Sequence, residues 1–158
     1  MDQIYTHPKR KTKVVFVQLG SPSEPTTKAL RKYLRKFLGD PRVVDINPWL
    51  WKIILNFFVL PFRPKKSAKL YARIWDGKSF PLITNTRDFT NNVREELKKI
   101  DPNGYVEVNH AFLLSPPYVN EVYDSWEDDL KKGIGATKLL VIPMFPQYSE
   151  STIASGID

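Results

Sequence analysis

The chain has 158 residues, 42% hydrophobic and 26% charged, enough for one domain with its own apolar core and too apolar for a disordered polypeptide. It contains no cysteine, which excludes disulfides, thiolate metal sites and a thiol nucleophile and allows a reducing compartment. The net charge of +7 is uneven: residues 1–78 hold 17 Lys and Arg against 5 Asp and Glu, residues 79–158 hold 7 against 12, and such a basic half either attracts an acidic partner or is a solvated surface.

Residues 1–13 carry basic residues but no apolar run before a small-residue cleavage site, so they do not read as a signal peptide. Lys13–Leu19 is a short apolar run closed by Gly20-Ser21-Pro22, the pattern of a buried strand ending in a turn. Pro25–Leu38 places Leu30, Tyr33, Leu34, Phe37 and Leu38 on one helical face and Lys28, Arg31, Lys32, Arg35 and Lys36 on the other, with Gly39 as the stop. Arg42–Ile46 predicts a second strand. Trp49–Leu60 has only Lys52 and Asn56 as polar residues. As a helix it would rise about 18 Å, too short for the ~30 Å hydrocarbon core of a bilayer. It is either a buried core helix or an exposed apolar lip that docks on a membrane or a partner.

Lys65–Trp75 predicts a basic helix with Leu70 and Ile74 as its apolar seam, broken by Asp76-Gly77-Lys78. Thr86–Ile100 predicts a helix with Phe89, Val93, Leu97 and Ile100 inward, ended by Pro102-Asn103-Gly104. Tyr105–Leu114 predicts a third strand, Val119–Lys132 a helix with Val122, Trp126 and Leu130 inward, and Lys138–Met144 a fourth strand. Residues 148–158 start a helix that the sequence does not finish. Strands alternating with helices call for a parallel sheet covered on both faces. Right-handed crossovers would bring the ends of Leu19, Leu114 and Met144 to one edge.

Several chemistries find no support. There is no phosphate-cradling glycine loop and no Gly-x-Ser-x-Gly elbow. His7 reads as solvated, His110 as a packed core residue, and two distant histidines without cysteine make a poor zinc site. Glu95-Glu96 and Asp128-Asp129 read as solvated helix surface. The basic helix lacks interleaved exposed aromatics, which argues against nucleic acid. Hydroxyls do gather at the expected sheet edge: Ser21, Ser115, Ser149, Ser151 and Thr152. Each alone is an ordinary helix cap, but several around one edge favour a site, and free N–H groups near Tyr148 would suit an anion.

The order of features resembles the N-terminal half of the ferrochelatases, which insert iron into a porphyrin to make haem. Gln18-Leu19-Gly20-Ser21-Pro22 resembles the family's Asn-[Leu/Met]-Gly-[Gly/Thr]-Pro strand end. Residues Tyr33 to Asp45 resemble its "YLREFLSDPRVVD" stretch, and Pro61 to Tyr71 its Pro-x-Arg-x-x-Lys…Tyr segment. Pro146-Gln147-Tyr148-Ser149 with Ser151-Thr152 matches the signature after its fourth strand. The resemblance implies an α/β, Rossmann-like lobe: a parallel four-stranded sheet with helices on both faces, one of two lobes that hold the porphyrin between them. Within it, residues 13–46 would be strand-helix-strand, 48–64 the lip, and 65–147 the remainder. Leu19, Gly20, Ser21, Pro22, Tyr71, Leu113, Leu114, Tyr148, Ser149, Ser151 and Thr152 would line the cleft, and Arg63 and Lys66 would pair with carboxylates at its rim. Trp49, Leu50, Trp51, Ile54, Phe57 and Phe58 would form the lip, which shifts the reading of that stretch from core to lip.

Three departures stand out. The family's Arg-Tyr after the third strand reads Leu113-Leu114 here, and its Gly-Ser-Pro reads Ser79-Phe80-Pro81. The family's catalytic histidine and its acidic partner lie in the second lobe, beyond the residues of this chain. The expectation is a wall and lip with no catalytic or metal-binding residue and no cofactor of their own. Alone, this polypeptide would bind porphyrin weakly or not at all and would not turn over. Its substrates would be Fe2+ and a porphyrin di- or tetracarboxylate, and its partner a second lobe or another chain. The expected location is cytoplasmic, with peripheral membrane contact left open. The alternative is a non-catalytic porphyrin- or membrane-binding module, which Leu113-Leu114 favours.

Overall fold

Four consecutive buried residues, Val14 to Val17, place Thr12–Gln18 (β1) at the middle of the sheet. The computed structural model describes residues 11–145. Val106–Phe112 (β2) pairs in parallel on one side of β1, from Thr12 opposite Val106 to Gln18 opposite Phe112. Lys138–Pro143 (β3) pairs in parallel on the other, from Thr12 opposite Lys138 to Val17 opposite Pro143. The order is β2-β1-β3. A strand with neighbours on both sides and helices on both faces reads as an unbroken apolar run, as β1 does.

Side chains alternate across the pleat, so the two faces bury different residues. Val14, Phe16 and Val108 pack against Val93 and Leu97 of α4 (Pro81–Ile100). Val15, Val17 and Ala111 pack against Val119 and Val122 of α5 (Val119–Lys131). The chain therefore winds onto opposite faces of the sheet and reverses direction at β1. In open parallel sheets ligands bind beyond the strand ends near such a reversal.

Among the described residues the sheet has three strands, not four. Arg42–Ile46 is turn and irregular chain. The Asp40 carboxylate accepts the N–H of Arg42 at 2.9 Å, and its carbonyl accepts that of Val43 at 3.0 Å. This curls the segment straight out of α1 (Thr27–Leu38), as short polar side chains commonly do. Val43 and Val44 then pack on the α1 cluster instead of joining a ladder.

Residues 48–74 form one uninterrupted helical run rather than two helices. It comprises α2 (Pro48–Ile54), a π-helical turn at Leu55–Val59, α3 (Leu60–Tyr71) and a 3-10 turn at Ala72–Ile74. The wide turn sits just before Pro61. Proline has no N–H for the usual i−4 bond, and the N–H of Leu60 reaches back five residues to the Leu55 carbonyl. Pro64 likewise leaves the Leu60 carbonyl without its helical donor, and Arg31 Nε of α1 donates to it at 3.2 Å. Trp51 Nε1 donates to the Leu38 carbonyl at 2.7 Å. Because the run is continuous, Leu60 sets its phase. Leu60, Pro64 and Ala68 face α1, whereas the expected seam of Leu70 and Ile74 is exposed.

Helix α4 starts five residues earlier than expected, on Pro81, which suits a first helical position. Its inner face carries Thr86 and Thr90 as well as Val93 and Leu97, while Ile100 is exposed and Phe89 leans on the flank of Phe16. The two threonines bury their hydroxyls by donating to the carbonyls of Leu82 and Thr86, each at 2.7 Å. In α5, Val122 packs inward and Trp126 Nε1 donates to the Ala136 carbonyl at 2.8 Å, but Leu130 is exposed. At the outer edge of β2, Arg94 of α4 donates to the Val108 carbonyl at 2.7 Å and the Asn109 side chain at 3.0 Å.

Candidate functional site

The loops leaving β1 and β2 meet at the C-terminal edge of the sheet. The N–H of Leu113 donates to the Gln18 carbonyl and that of Leu114 to the Leu19 carbonyl, both at 3.0 Å. The N–H of Met144 donates to the Val17 carbonyl at 2.9 Å, and the Gln18 amide returns to the Met144 carbonyl at 3.1 Å. Gly20 has φ +92°, and a β-carbon there would run into Ser115 Oγ. Only glycine allows both this backbone turn and the close approach of the two loops. The N–H of Ser21 donates to Ser115 Oγ at 3.3 Å, with both serines buried.

Beside this junction lies a cavity of about 310 Å³. Ser21, Pro22, Leu114 and Ser115 form its floor, and α1 contributes Lys32, Tyr33 and Lys36. Trp75, Lys78 and Phe80 close it from the segment ahead of α4, and Tyr118 does so from the start of α5. Its wall is aromatic: Trp75 lies 4.7 Å and Tyr71 5.5 Å from the ring of Phe80, which is almost fully buried. Tyr33 stands 6.4 Å from Tyr71 and donates to the Gly20 carbonyl at 3.4 Å. Burial first, then the neighbouring Tyr71, push the Tyr33 phenol well above its ordinary 10.0.

The cationic side is built as carefully. Lys36 Nζ lies 3.8 Å from the centre of the Tyr118 ring, a cation–π contact. Partial burial lowers its pKa and Lys32 adds to that, while Glu121 opposes them. Lys78 is placed by Asp76, whose carboxylate accepts the Lys78 N–H at 2.8 Å. The N–H groups of Ser79 and Lys78 in turn hold Asp76 below the usual carboxylate range.

The expected cleft residues divide. Gly20, Ser21, Pro22 and Leu114 are at the junction or line the cavity, and half-buried Leu19 is tied to it through its carbonyl. Tyr71 reaches the site through Tyr33 and Phe80. Leu113 packs into the cluster under α5, and Leu114 also touches the α1 cluster, so this pair fills space between loops. Arg63 and Lys66 are exposed on α3. Tyr148, Ser149, Ser151 and Thr152 lie outside the described residues, as does His7. Of the expected lip residues, Trp49, Leu50, Phe57 and Phe58 are exposed, joined by Ile53 and Phe62. Trp51 and Ile54 are half-buried, and Trp51 is hydrogen-bonded inward to α1.

His110 sits on β2 with Nδ1 buried and unpartnered, 5.5 Å from Phe112, and lines a different cavity. Sequence reasoning passed over Lys32, Lys36, Lys78, Trp75, Phe80 and Tyr118. The available signal was the i, i+4 spacing of Lys32 and Lys36 on the exposed side of α1, bordering the face that carries Tyr33. No helix among the described residues is long and apolar enough to cross a membrane.

The family model for ferrochelatase matches residues 11–158. The chain is 41% identical to the ferrochelatase of Idiomarina loihiensis over 145 residues, covering 92% of this chain and 38% of that protein. It is 41% identical to the ferrochelatase of Teredinibacter turnerae over 159 residues (99% and 41%). It is 40% identical to ferrochelatase 1 of Shewanella oneidensis over 153 residues (97% and 44%). The chain spans about two fifths of the length of these curated relatives.

Proposed function

The chain belongs to the ferrochelatase family, and from that premise we propose that it supplies one wall and the lip of a cleft in which Fe2+ enters a porphyrin for haem synthesis. In this reading residues 11–145 are a Rossmann-like lobe whose sheet edge faces the macrocycle. The observation that carries it is the contiguity of Leu19-Gly20, Tyr33, Tyr71 and Phe80 at one edge, where buried Tyr33 and Phe80 back the half-buried Leu19 and Tyr71, the side chains left for a flat conjugated ring to stack on. Insertion exchanges one Fe2+ for two pyrrole N–H protons. A rigid wall grips the ring so that strain is not lost to tumbling, and it keeps water from the ring face. The base that receives those protons lies outside residues 11–145 in this reading.

The test is an anaerobic Fe2+-insertion assay on the gene product beside a porphyrin-binding titration, each with Leu19→Glu. A carboxylate at the wall should weaken binding and lower kcat/KM at least tenfold. Equal binding by the wild type and the variant would remove Leu19 from the cleft.

A second reading adds to the first. Trp49 is 80% and Phe62 72% exposed, with Phe57 and Phe58 also outward, on a helix that carries Lys52, Arg63, Lys65, Lys66 and Lys69. Aromatics ringed by cations suit the interface of an anionic bilayer, so we place this lip on a membrane surface.

A further inference from the structure

The turn between α4 and β2 holds the one Asn-Gly pair in the chain, Asn103-Gly104, and both residues are exposed. The N–H of Gly104 donates to the Asp101 carbonyl at 3.1 Å across Pro102 and Asn103, and Gly104 takes φ +66°. Nothing lies within 4 Å of where a β-carbon on Gly104 would stand, so the backbone here is uncrowded as well as conformationally free. Among the described residues no hydrogen bond holds the Asn103 amide. The bond that closes the turn is at the surface, where local opening costs least. Opening frees the Gly104 nitrogen beside the Asn103 side-chain carbonyl carbon, an electrophile whose leaving group is ammonia. We propose that Asn103-Gly104 is a site of covalent self-modification, at which the folded chain deamidates and partly isomerises its own backbone.

The step balances with water alone. The Gly104 nitrogen gives up its proton and bonds to Asn103 Cγ. The Cγ–Nδ2 bond breaks, and ammonia leaves with that proton, closing a cyclic succinimide. Water then opens the ring. Attack at Cγ leaves an aspartate in an ordinary chain. Attack at the backbone carbonyl carbon leaves an isoaspartate, whose chain runs through the former side chain and is longer by a methylene. Either product carries a new carboxylate. The other asparagines are shielded. Asn47 precedes a proline, and Asn56, Asn85, Asn91, Asn92, Asn109 and Asn120 lie within helices or β2 and precede residues with side chains. Asp76-Gly77 is equally exposed, but closure there needs a neutral carboxyl. The Ser79 and Lys78 N–H groups stabilise its carboxylate form.

The turn also sets the first rung of the sheet. The Asp101 carboxylate accepts the Val106 N–H at 2.8 Å, and the Tyr105 carbonyl accepts that of Thr12 at 2.7 Å. A lengthened backbone at Asn103 therefore acts on the N-terminal end of β1 and β2, opposite the strand-end cavity, and the proposal stands apart from the porphyrin reading.

The experiment incubates the purified chain in mildly alkaline buffer, folded and in urea. Peptide mapping by mass spectrometry follows deamidation, and a methyltransferase specific for isoaspartate labels the rearranged product. In the folded chain the peptide holding Asn103 should deamidate severalfold faster than any other asparagine peptide and take up the label, while the Asp76 peptide stays unlabelled. Asn103→Gln should abolish both signals at unchanged circular dichroism, because glutamine closes the larger ring far more slowly. No residue other than glycine has positive φ, so the position accepts the longer side chain. Modification seen only in urea would show that the turn protects Asn103 and overturn the proposal. So would label that persists in Asn103→Gln, or an Asn103 peptide no faster than those of α4.

Discussion

Tyr33 joins the core to the site, and its chemistry gives a test in solution. Its phenol is held neutral above the ordinary 10.0, chiefly by burial and then by Tyr71. The unfolded chain ionises this group near pH 10 and the folded chain only at higher pH. Above pH 10 the unfolded state therefore binds fewer protons, and folding stability falls as pH rises. The stabilisation is complete below pH 10 and declines progressively above it. Tyr33→Phe should lose a little stability at pH 8, about 1 kcal/mol for the long hydrogen bond to Gly20, yet fall less steeply between pH 9.5 and 11. Parallel slopes in urea titrations of the two proteins would show that Tyr33 ionises normally. The site was half legible at this scale. Gly20, Ser21 and Ser115 stood out because hydroxyls that are ordinary caps one by one gather, with a glycine turn, at a single strand-end edge. Lys36 did not, because a lysine row on an amphipathic helix looks solvated until Tyr118, distant in sequence, is folded beneath it.

At the scale of elements, the helical run from Pro48 to Ile74 depends on contacts outside itself. Its two interior prolines, Pro61 and Pro64, remove backbone donors, and α1 supplies one replacement through Arg31. Arg31→Ala should leave the Leu60 carbonyl without that donor and cost about 1–3 kcal/mol. Hydrogen exchange should quicken in residues 55–63, with Lys28→Ala, also exposed on α1, as the comparison. Equal exchange in both variants would mean that water replaces the guanidinium at no cost. Element type was readable wherever apolar periodicity ran long, as in α1. It failed at Arg42–Ile46, where five residues cannot separate a strand from a turn and the Asp40 cap decides. Phase failed in α3 because the helix was read as starting at Lys65, and a helix takes its inward face from where it actually begins.

For the whole molecule, charge and apolar surface are combined in one half of the chain, and the exposed lip aromatics lie within it. Flotation with anionic vesicles tests the membrane reading. Trp49→Glu with Phe57→Glu should cut the bound fraction severalfold, and added salt should weaken what remains, since each Lys or Arg near such a surface is worth about 1 kcal/mol. Trp51→Glu is a poor probe, because its indole is committed to the Leu38 carbonyl and the substitution would disturb packing as well. Flotation unchanged in the double variant would assign the lip to a protein surface. Parallel strands were legible as apolar runs flanked by turns. The strand count was not, since pairing depends on partners that no local pattern names.

The two rims of the sheet are treated differently. Arg94 plugs the outer carbonyl of Val108, so a foreign strand approaching β2 meets a guanidinium where it needs an acceptor. Nothing comparable guards β3 among the described residues, where Leu140 is half exposed and β1 is the only paired neighbour. Among the described residues, a strand adding to this sheet would therefore meet a capped carbonyl at β2 and none at β3.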